Sequence, residues 1–284
     1  MKRICLLALM CLLFVQLKAQ DGVVFKVKYL PNHNYQVGVK VGLKITANVT
    51  GDQKVADFLS AQNITQPINV AVNIAMDGNS KTGPQGADQS FPLNMLYKIS
   101  DFSASINGKP APIPMTVAGK SFNLSAHITS DTQIHIDSAM GKKLDDSTEK
   151  KVQQMMSMLQ KQIKFPERAL KPGDTFTESA PIGNIPIKDG NDVKAEASVT
   201  YKLVSISDGK AYFDMIPHFS MSFGMKTLSV NITGDGSGKM VYSIKDNFPL
   251  SKDATFNMKI KVTSDKVNVD ATAVITSDYT ATIN

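Results

Sequence analysis

Tryptophan is absent from this chain of 284 residues, arginine occurs twice, and both cysteines, Cys5 and Cys11, fall within the first eleven positions. Each shortage excludes something. With the leader removed, no cysteine is left to form a disulfide, so an exported form of the chain rests on its apolar core alone. About 265 residues (284 minus 19) supply enough chain for a large core. Arg168 is then the sole arginine, and a protein that reads phosphates or bases uses the planar guanidinium fork more freely, which argues against a nucleic-acid partner. The lack of tryptophan and the 7% aromatic content weaken a glycan site built on stacking platforms. Beyond the leader, no stretch approaches the ~20 apolar residues of a spanning helix.

The leader itself has Lys2 and Arg3, an apolar run from Ile4 to Leu17 and a small residue at Ala19, the layout of a secretory signal peptide cut near Ala19. Cys11 follows Leu9-Met10 where a lipidation site wants small residues, so no lipid anchor is expected. The expected location is the periplasm or the exterior. Removing Lys2, Arg3 and Lys18 leaves 31 minus 3, or 28, basic residues against 25 acidic ones, and the net charge falls from +6 to +3.

What the chain has in abundance is alternation. From Tyr35 to Val49 the apolar residues Tyr35, Val37, Val39, Val41, Leu43, Ile45, Ala47 and Val49 occupy every odd position, the period of a strand with one buried face. Fifteen residues at ~3.3 Å each make an unusually long strand of roughly 50 Å, with Gly38 and Gly42 on its polar side permitting a bend. A second long run puts Phe213, Met215, Pro217, Phe219, Met221, Phe223 and Met225 on one side. Shorter alternations cover 68–76, 193–203, 256–262 and 267–275, and a parity switch between Ile99 and Phe102 predicts a bulge.

One segment breaks the pattern. From about 145 to 164, Val152, Met155, Met156, Leu159 and Ile163 recur at three and four, acidic residues come early and lysines late, and Phe165-Pro166 follows: an amphipathic helix. The next phrase, Leu170-Lys171-Pro172-Gly173-Asp174-Thr175-Phe176, resembles Leu30-Pro31-Asn32-His33-Asn34-Tyr35 in running from proline through a polar turn to an aromatic. It reads as punctuation opening a second half. The expected organisation is a signal peptide over 1–19 and one β-rich domain over 20–284, with a first half about 22–140, the helix about 145–164 and a second half about 165–284.

Long one-faced strands need a cover, and a sandwich uses shorter ones. The expected fold is therefore mainly β: a long, strongly curved antiparallel sheet, a half-barrel or open barrel, around one central amphipathic helix, with two similar halves. The order of leader, long first strand, helix, Phe-Pro…Leu-Lys-Pro-Gly-Asp-Thr-Phe, a strand pair about Ser207-Asp208-Gly209-Lys210-Ala211, and Gly236-Ser237-Gly238-Lys239 before a last hairpin resembles an uncharacterised family of exported Bacteroidota proteins. In outline that family is similar to the periplasmic lipoprotein carrier and mycobacterial lipid-carrier half-barrels. The resemblance implies no catalytic residues.

Candidate chemistry is sparse. His127, His135 and Asp137 would meet across a turn at Thr129-Ser130-Asp131-Thr132, yet their parity faces them outwards, away from Leu124, Ala126, Ile134 and Ile136. Ser147-Thr148-Glu149-Lys150 and Ser207-Asp208-Gly209-Lys210 match Ser-x-x-Lys, but Lys81-Thr82-Gly83, the third box of that hydrolase pattern, comes in the wrong order. Gly234-Asp235-Gly236-Ser237-Gly238-Lys239 lacks phosphate-loop spacing and suggests a hairpin or strand kink. Asp77-Gly78-Asn79-Ser80-Lys81-Thr82-Gly83 departs from a calcium loop and reads as a flexible loop. Asp137-Ser138-Ala139 and Asp146-Ser147-Thr148 fit a short O-glycosylation pattern.

The remaining signal is apolar and rich in methionine, a side chain that adapts to varied partners. The expectation is a non-enzymatic carrier or binding protein for a hydrophobic ligand such as an acyl chain or lipoprotein. Met155, Met156, Leu159, Phe213, Met215, Phe219, Met221, Phe256 and Met258 would line the site, with no cofactor or metal. The competing expectation is a structural or interaction protein of the envelope with a self-filled core and a polar outer binding surface.

Overall fold

The computed structural model describes residues 22–111, 119–139, 142–143, 163–180, 194–225 and 227–284. The leader and the stretch 144–162, with Met155, Met156 and Leu159, lie outside the described residues. In chain order the elements are β1 (Asn34–Gly51), α1 (Gln53–Ala61), β2 (Ile68–Thr82), β3 (Phe91–Ile106), β4 (Lys109–Pro110), β5 (Ser121–Ile128), β6 (Ile134–Ala139) and β7 (Lys142–Lys143). There follow β8 (Thr175–Ala180), β9 (Lys194–Ser207), β10 (Lys210–Met225), β11 (Leu228–Ser243), β12 (Phe248–Ser264) and β13 (Val267–Ile283).

All thirteen strands belong to one antiparallel sheet in the order β7-β6-β5-β3-β2-β1-β13-β12-β11-β10-β9-β8, with β4 beside β3. Each half is a meander, and the halves join where the first and last strands pair along their whole length, from Tyr35 opposite Ile283 to Gly51 opposite Val267. The sheet is not closed: among the described residues, β7 and β8 end the order without pairing.

Parity accounts for the two faces. In β1, Tyr35 is buried, Val37 to Val49 are half-buried, and Lys40, Lys44 and Thr46 are exposed; β12 and β13 alternate in the same way. The expected bulge is present, since Ala75 pairs with Asp101 and Met76 with Ile99, leaving Ser100 extra. Asp208 and Gly209, both at positive φ, form the two-residue turn between β9 and β10, the conformation that matches strand twist.

One expectation is corrected. The stretch Asp77 to Thr82 is no loop but the end of β2. Its small polar residues point inward beneath the chain entering β1: Ser80 and Thr82 are buried, and the Thr82 hydroxyl accepts from His33 N–H and donates to Leu30 C=O. The helix that the described residues contain is α1, short and exposed, started where Asp52 accepts the Val55 N–H. Of the expected helix over 145–164, Ile163 and Lys164 are described, and both have irregular backbone. Ile163 is drawn into the core, and the following Phe165-Pro166 disfavours helical backbone.

The core lies in two clusters. One joins the strap 22–33 and residues 163–176 to β9, β10 and β11: Phe25, Ile163, Leu170, Leu203, Phe213, Met240 and Tyr242 are buried together. Phe25 meets Phe165, Phe213 and Tyr242 at ring separations of 5.2, 5.3 and 5.3 Å, contacts worth ~0.5–1.5 kcal/mol each beyond their burial. The other cluster packs Phe91, Leu93 and Met95 of β3 against Leu124, Ala126 and Ile128 of β5 and Ile136 of β6. The strap is tied down as well, because Tyr242 donates to Lys26 C=O and Leu30 N–H donates to the Tyr35 hydroxyl.

Phe165 to Phe176 is structural punctuation. Val23 and Leu170 exchange backbone hydrogen bonds of 2.9 Å. Asp174 accepts from the Lys171 N–H at 2.9 Å and pairs with Arg168 at 3.0 Å, while Arg168 also donates to Thr175 C=O. The chain's one arginine after the leader is thus bound to its own turn.

Candidate functional site

Strands alternating apolar and polar residues leave one face to be covered, and between the two core clusters that face borders an open cavity of about 430 Å³. Val37 and Val39 of β1, Met76 of β2, Tyr97 of β3, Val199 and Tyr201 of β9, Met215 and Pro217 of β10, Lys252 and Ala254 of β12 and Tyr279 of β13 line it, closed over by Val27 and Tyr29 of the strap and by Ile163. In the sheet order β3 and β9 stand seven strand steps apart, about 34 Å on a flat sheet at ~4.8 Å per step. Their side chains border one cavity, so the sheet bends around it. A second cavity of about 340 Å³ continues from Ile163, Val199, Tyr201, Pro217 and Lys252 to Glu178, Phe219 and Phe256.

The glycine-rich stretch of β11 shapes this wall. Gly234, Gly236 and Gly238 fall on the inner face opposite Met258, Phe256 and Ala254. A Cβ at Gly236 would stand 2.9 Å from Pro217 Cγ and 3.0 Å from Phe256 Cδ2. Glycine here admits neighbouring rings and strands, not a phosphate.

Of the residues expected to line a ligand site, Met215 borders the first cavity and Phe219 and Phe256 the second. Phe213 is packed into the core at 1% exposure and lines neither. Met221 and Met258 face inward on β10 and β12, opposite Ile232 and Gly234, beyond both cavities. Met155, Met156 and Leu159 lie outside the described residues. Periodicity overlooked Lys252, Tyr279, Tyr97, Tyr29 and Glu178. For the first a signal is present in the sequence: Lys252 holds apolar parity with Ala254, Phe256, Met258 and Ile260, where a charge is out of place.

Tyr201 is buried, the other polar groups on this wall are half-buried, and their electrostatics follow from that burial. Burial, with Tyr97 and Tyr279 nearby, holds the Tyr29 phenol far above its ordinary range, and burial does the same to Tyr279. Tyr201 is pushed up to about 12 by burial and by Glu178. Burial pulls the Lys252 amine below its ordinary value, while Glu178 pulls the other way. Lys252 Nζ sits 5.1 Å from the centre of the Tyr279 ring.

The outer face is mainly polar, with Leu96, Ile216 and Val274 exposed on it. One row across it runs Lys40, Asp278, Asp253, Lys239, Asp214, Lys202 on successive strands, and Lys239 Nζ lies 3.5 Å from Asp214 Oδ1. A depression of about 640 Å³ opens there between Lys40, Asp101, Asp253 and Asp278, and Val41, Ile74, Ala75 and Ala254 also border it. His127 and Asp137 do meet, at 2.7 Å with side chains 44% and 50% exposed, and His135 stacks on His127 at 5.3 Å. His218 pairs likewise with Asp235 at 2.7 Å. Both pairs are exposed, the first as parity implied.

No family model and no curated protein matches the chain. Among solved structures it is similar to the β domain of the Bordetella autotransporter BrkA (9% identity, 86% of this chain and 98% of that one, TM-score 0.30). It is also similar to an outer-membrane channel from Pseudomonas putida F1 (7% identity, 90% and 98%, TM-score 0.23). A third is a protein described as exported, with a YmcC-like fold, from Bacteroides fragilis NCTC 9343 (8% identity, 89% and 98%, TM-score 0.15). Likenesses at these scores carry no argument. The faces do: a membrane barrel turns its apolar side outwards to lipid, whereas here Lys40, Lys44, Lys98, Lys239, Asp253, Lys259, Lys261, Asp270 and Asp278 are exposed on the side away from the apolar cavities.

Proposed function

We propose that the chain is a non-enzymatic binding or carrier protein of the periplasm or cell exterior, holding an apolar ligand such as an acyl chain or the acyl part of a lipoprotein against the inner face of its sheet. The observation that carries this reading is the 430 Å³ cavity, walled mainly by valine, methionine, proline and aromatic side chains with few polar groups. That is the make-up and size of a small-molecule site. At about 0.8 kcal/mol per buried methylene, an acyl chain of ~16 carbons contributes a gross ~12 kcal/mol before ordering costs. Few polar contacts are then needed.

The test uses residues 20–284 and the neutral fluorophore N-phenyl-1-naphthylamine, whose emission rises on leaving water. The wild-type chain is expected to bind it saturably, and Val39→Trp, which fills the cavity, to lose that binding while keeping the wild-type circular dichroism. No saturable binding, or equal binding by a folded Val39→Trp, overturns the reading and directs attention to the polar outer face.

A further inference from the structure

Lys252 belongs to a strand whose inward positions are otherwise apolar, and it borders both inner cavities. Its cross-strand neighbours on the inner face are Tyr279 of β13 and Met240 of β11, neither an anion at neutral pH. Among the described residues no carboxylate lies within 4 Å of Nζ, and the ammonium sits over the Tyr279 ring. Glu178 of β8, the nearest acid in influence, does not make up for burial, because the net effect on Lys252 is still towards the neutral amine. A charge held in an apolar wall without a partner costs stability. Phenols of Tyr29, Tyr97 and Tyr279 border the same cavity, and burial keeps Tyr29 and Tyr279 protonated as neutral hydroxyl donors.

We infer that Lys252 is the headgroup anchor of the site and that the ligand class is an anionic amphiphile, a long-chain carboxylate whose carboxyl group pairs with the Lys252 ammonium while its tail lies along the apolar cavity. The inference rests on the apolar-ligand reading and adds to it the sign of the ligand's charge. An ammonium–carboxylate hydrogen bond out of water is among the stronger polar contacts, and the carboxylate supplies the partner that Glu178 does not. The tail accounts for the apolar wall, and the Tyr279 hydroxyl, on the residue whose ring the ammonium already meets, offers the second carboxylate oxygen a donor. A neutral or cationic amphiphile would leave the half-buried ammonium without a carboxylate partner among the described residues.

The experiment compares hexadecanoate with hexadecan-1-ol, equal in chain and different in charge, by titration calorimetry on residues 20–284. The wild-type chain is expected to prefer the carboxylate by roughly tenfold or more, the worth of one hydrogen bond to a charged group. The preference should shrink as pH rises through the lowered Lys252 value. Lys252→Met should abolish it while binding the alcohol at least as well, and Lys252→Arg should retain most of it. Equal binding of both probes by the wild-type chain, or a preference that survives in Lys252→Met, overturns the assignment to Lys252 and leaves the apolar-ligand reading intact. If neither probe binds, both fall. Should Lys252→Met fail to fold, labelling the wild-type chain with a limiting amount of the N-hydroxysuccinimide ester of hexadecanoic acid decides the matter. The amine displaces N-hydroxysuccinimide to form an amide, and peptide mass spectrometry should place the acyl group on Lys252 ahead of the surface lysines. Labelling spread over exposed lysines with Lys252 unmodified refutes the proposal.

Discussion

Gly236 is one of the tight places on the inner face, and replacing it by alanine gives a sharp test of how the sheet is built. The added Cβ would stand 2.4 Å from the carbonyl oxygen of Thr255, 2.9 Å from Pro217 Cγ and 3.0 Å from Phe256 Cδ2. The first of these is backbone of the paired strand β12 and cannot withdraw without disturbing the ladder; the other two are rings that border the cavities. Overpacking of this kind costs ~1–3 kcal/mol, against a gain of ~0.4–1 kcal/mol from a stiffer unfolded chain. The expected net loss is ~1–2 kcal/mol, or roughly 2–8 °C in Tm for a chain of this size. Gly224→Ala is the control, since its Cβ would meet nothing nearer than Leu228 O at 3.9 Å, and it should match or slightly exceed wild-type stability. Urea titrations followed by circular dichroism measure both. If Gly236→Ala proves as stable as Gly224→Ala, the close approach of β10, β11 and β12 is wrong.

Two further outcomes are expected. Tyr242→Phe and Tyr35→Phe each leave a strap backbone group, Lys26 C=O and Leu30 N–H, without its partner, a loss of ~1–3 kcal/mol apiece; a change under about 0.5 kcal/mol in urea unfolding would show that the strap is not held this way. Tyr29, Tyr35, Tyr201, Tyr242 and Tyr279 are all raised by burial. Their neutral forms are favoured in the fold, so the stability they contribute is complete below the unfolded phenol value of ~10 and declines as pH rises past it. Absorbance titration near 295 nm should show these five ionising late and together with alkaline unfolding, and ionisation of all seven tyrosines near pH 10 in the folded chain would contradict their burial.

Much of the fold is legible in the chain because a strand's two faces are written at period two. Tyr35 to Val49 faces inward as its parity says, Ser100 is extra where the parity switches, and Asp208-Gly209 turns where it should. Arg168 and Asp174 hold a turn, as the wording around Pro172 implied. Composition misled at Asp77 to Thr82, where polar residues and Gly78 look like a loop; burial of Ser80 and Thr82 beneath the strap, hydrogen-bonded to Leu30 and His33, makes them strand. Helix α1 escaped notice because its apolar positions Val55, Phe58 and Leu59 are few and lie between two strong strand patterns.

The candidate site divides along the same line. The sequence by itself determined which side of each strand is apolar, because facing is a local property of an extended backbone; the parity that sets Lys252 among apolar residues is present there too, though it was overlooked. Only the tertiary structure decided that β1 pairs with β13, that a strap and Ile163 close over the inner face, and that Tyr97 and Val199, seven strands apart, border one cavity. Strand neighbours and sheet curvature depend on contacts between residues far apart in the chain, which no local period records. A lysine at an apolar position becomes a candidate anchor only when the sheet bends and sets the rings of Tyr279, Tyr97 and Tyr29 around it.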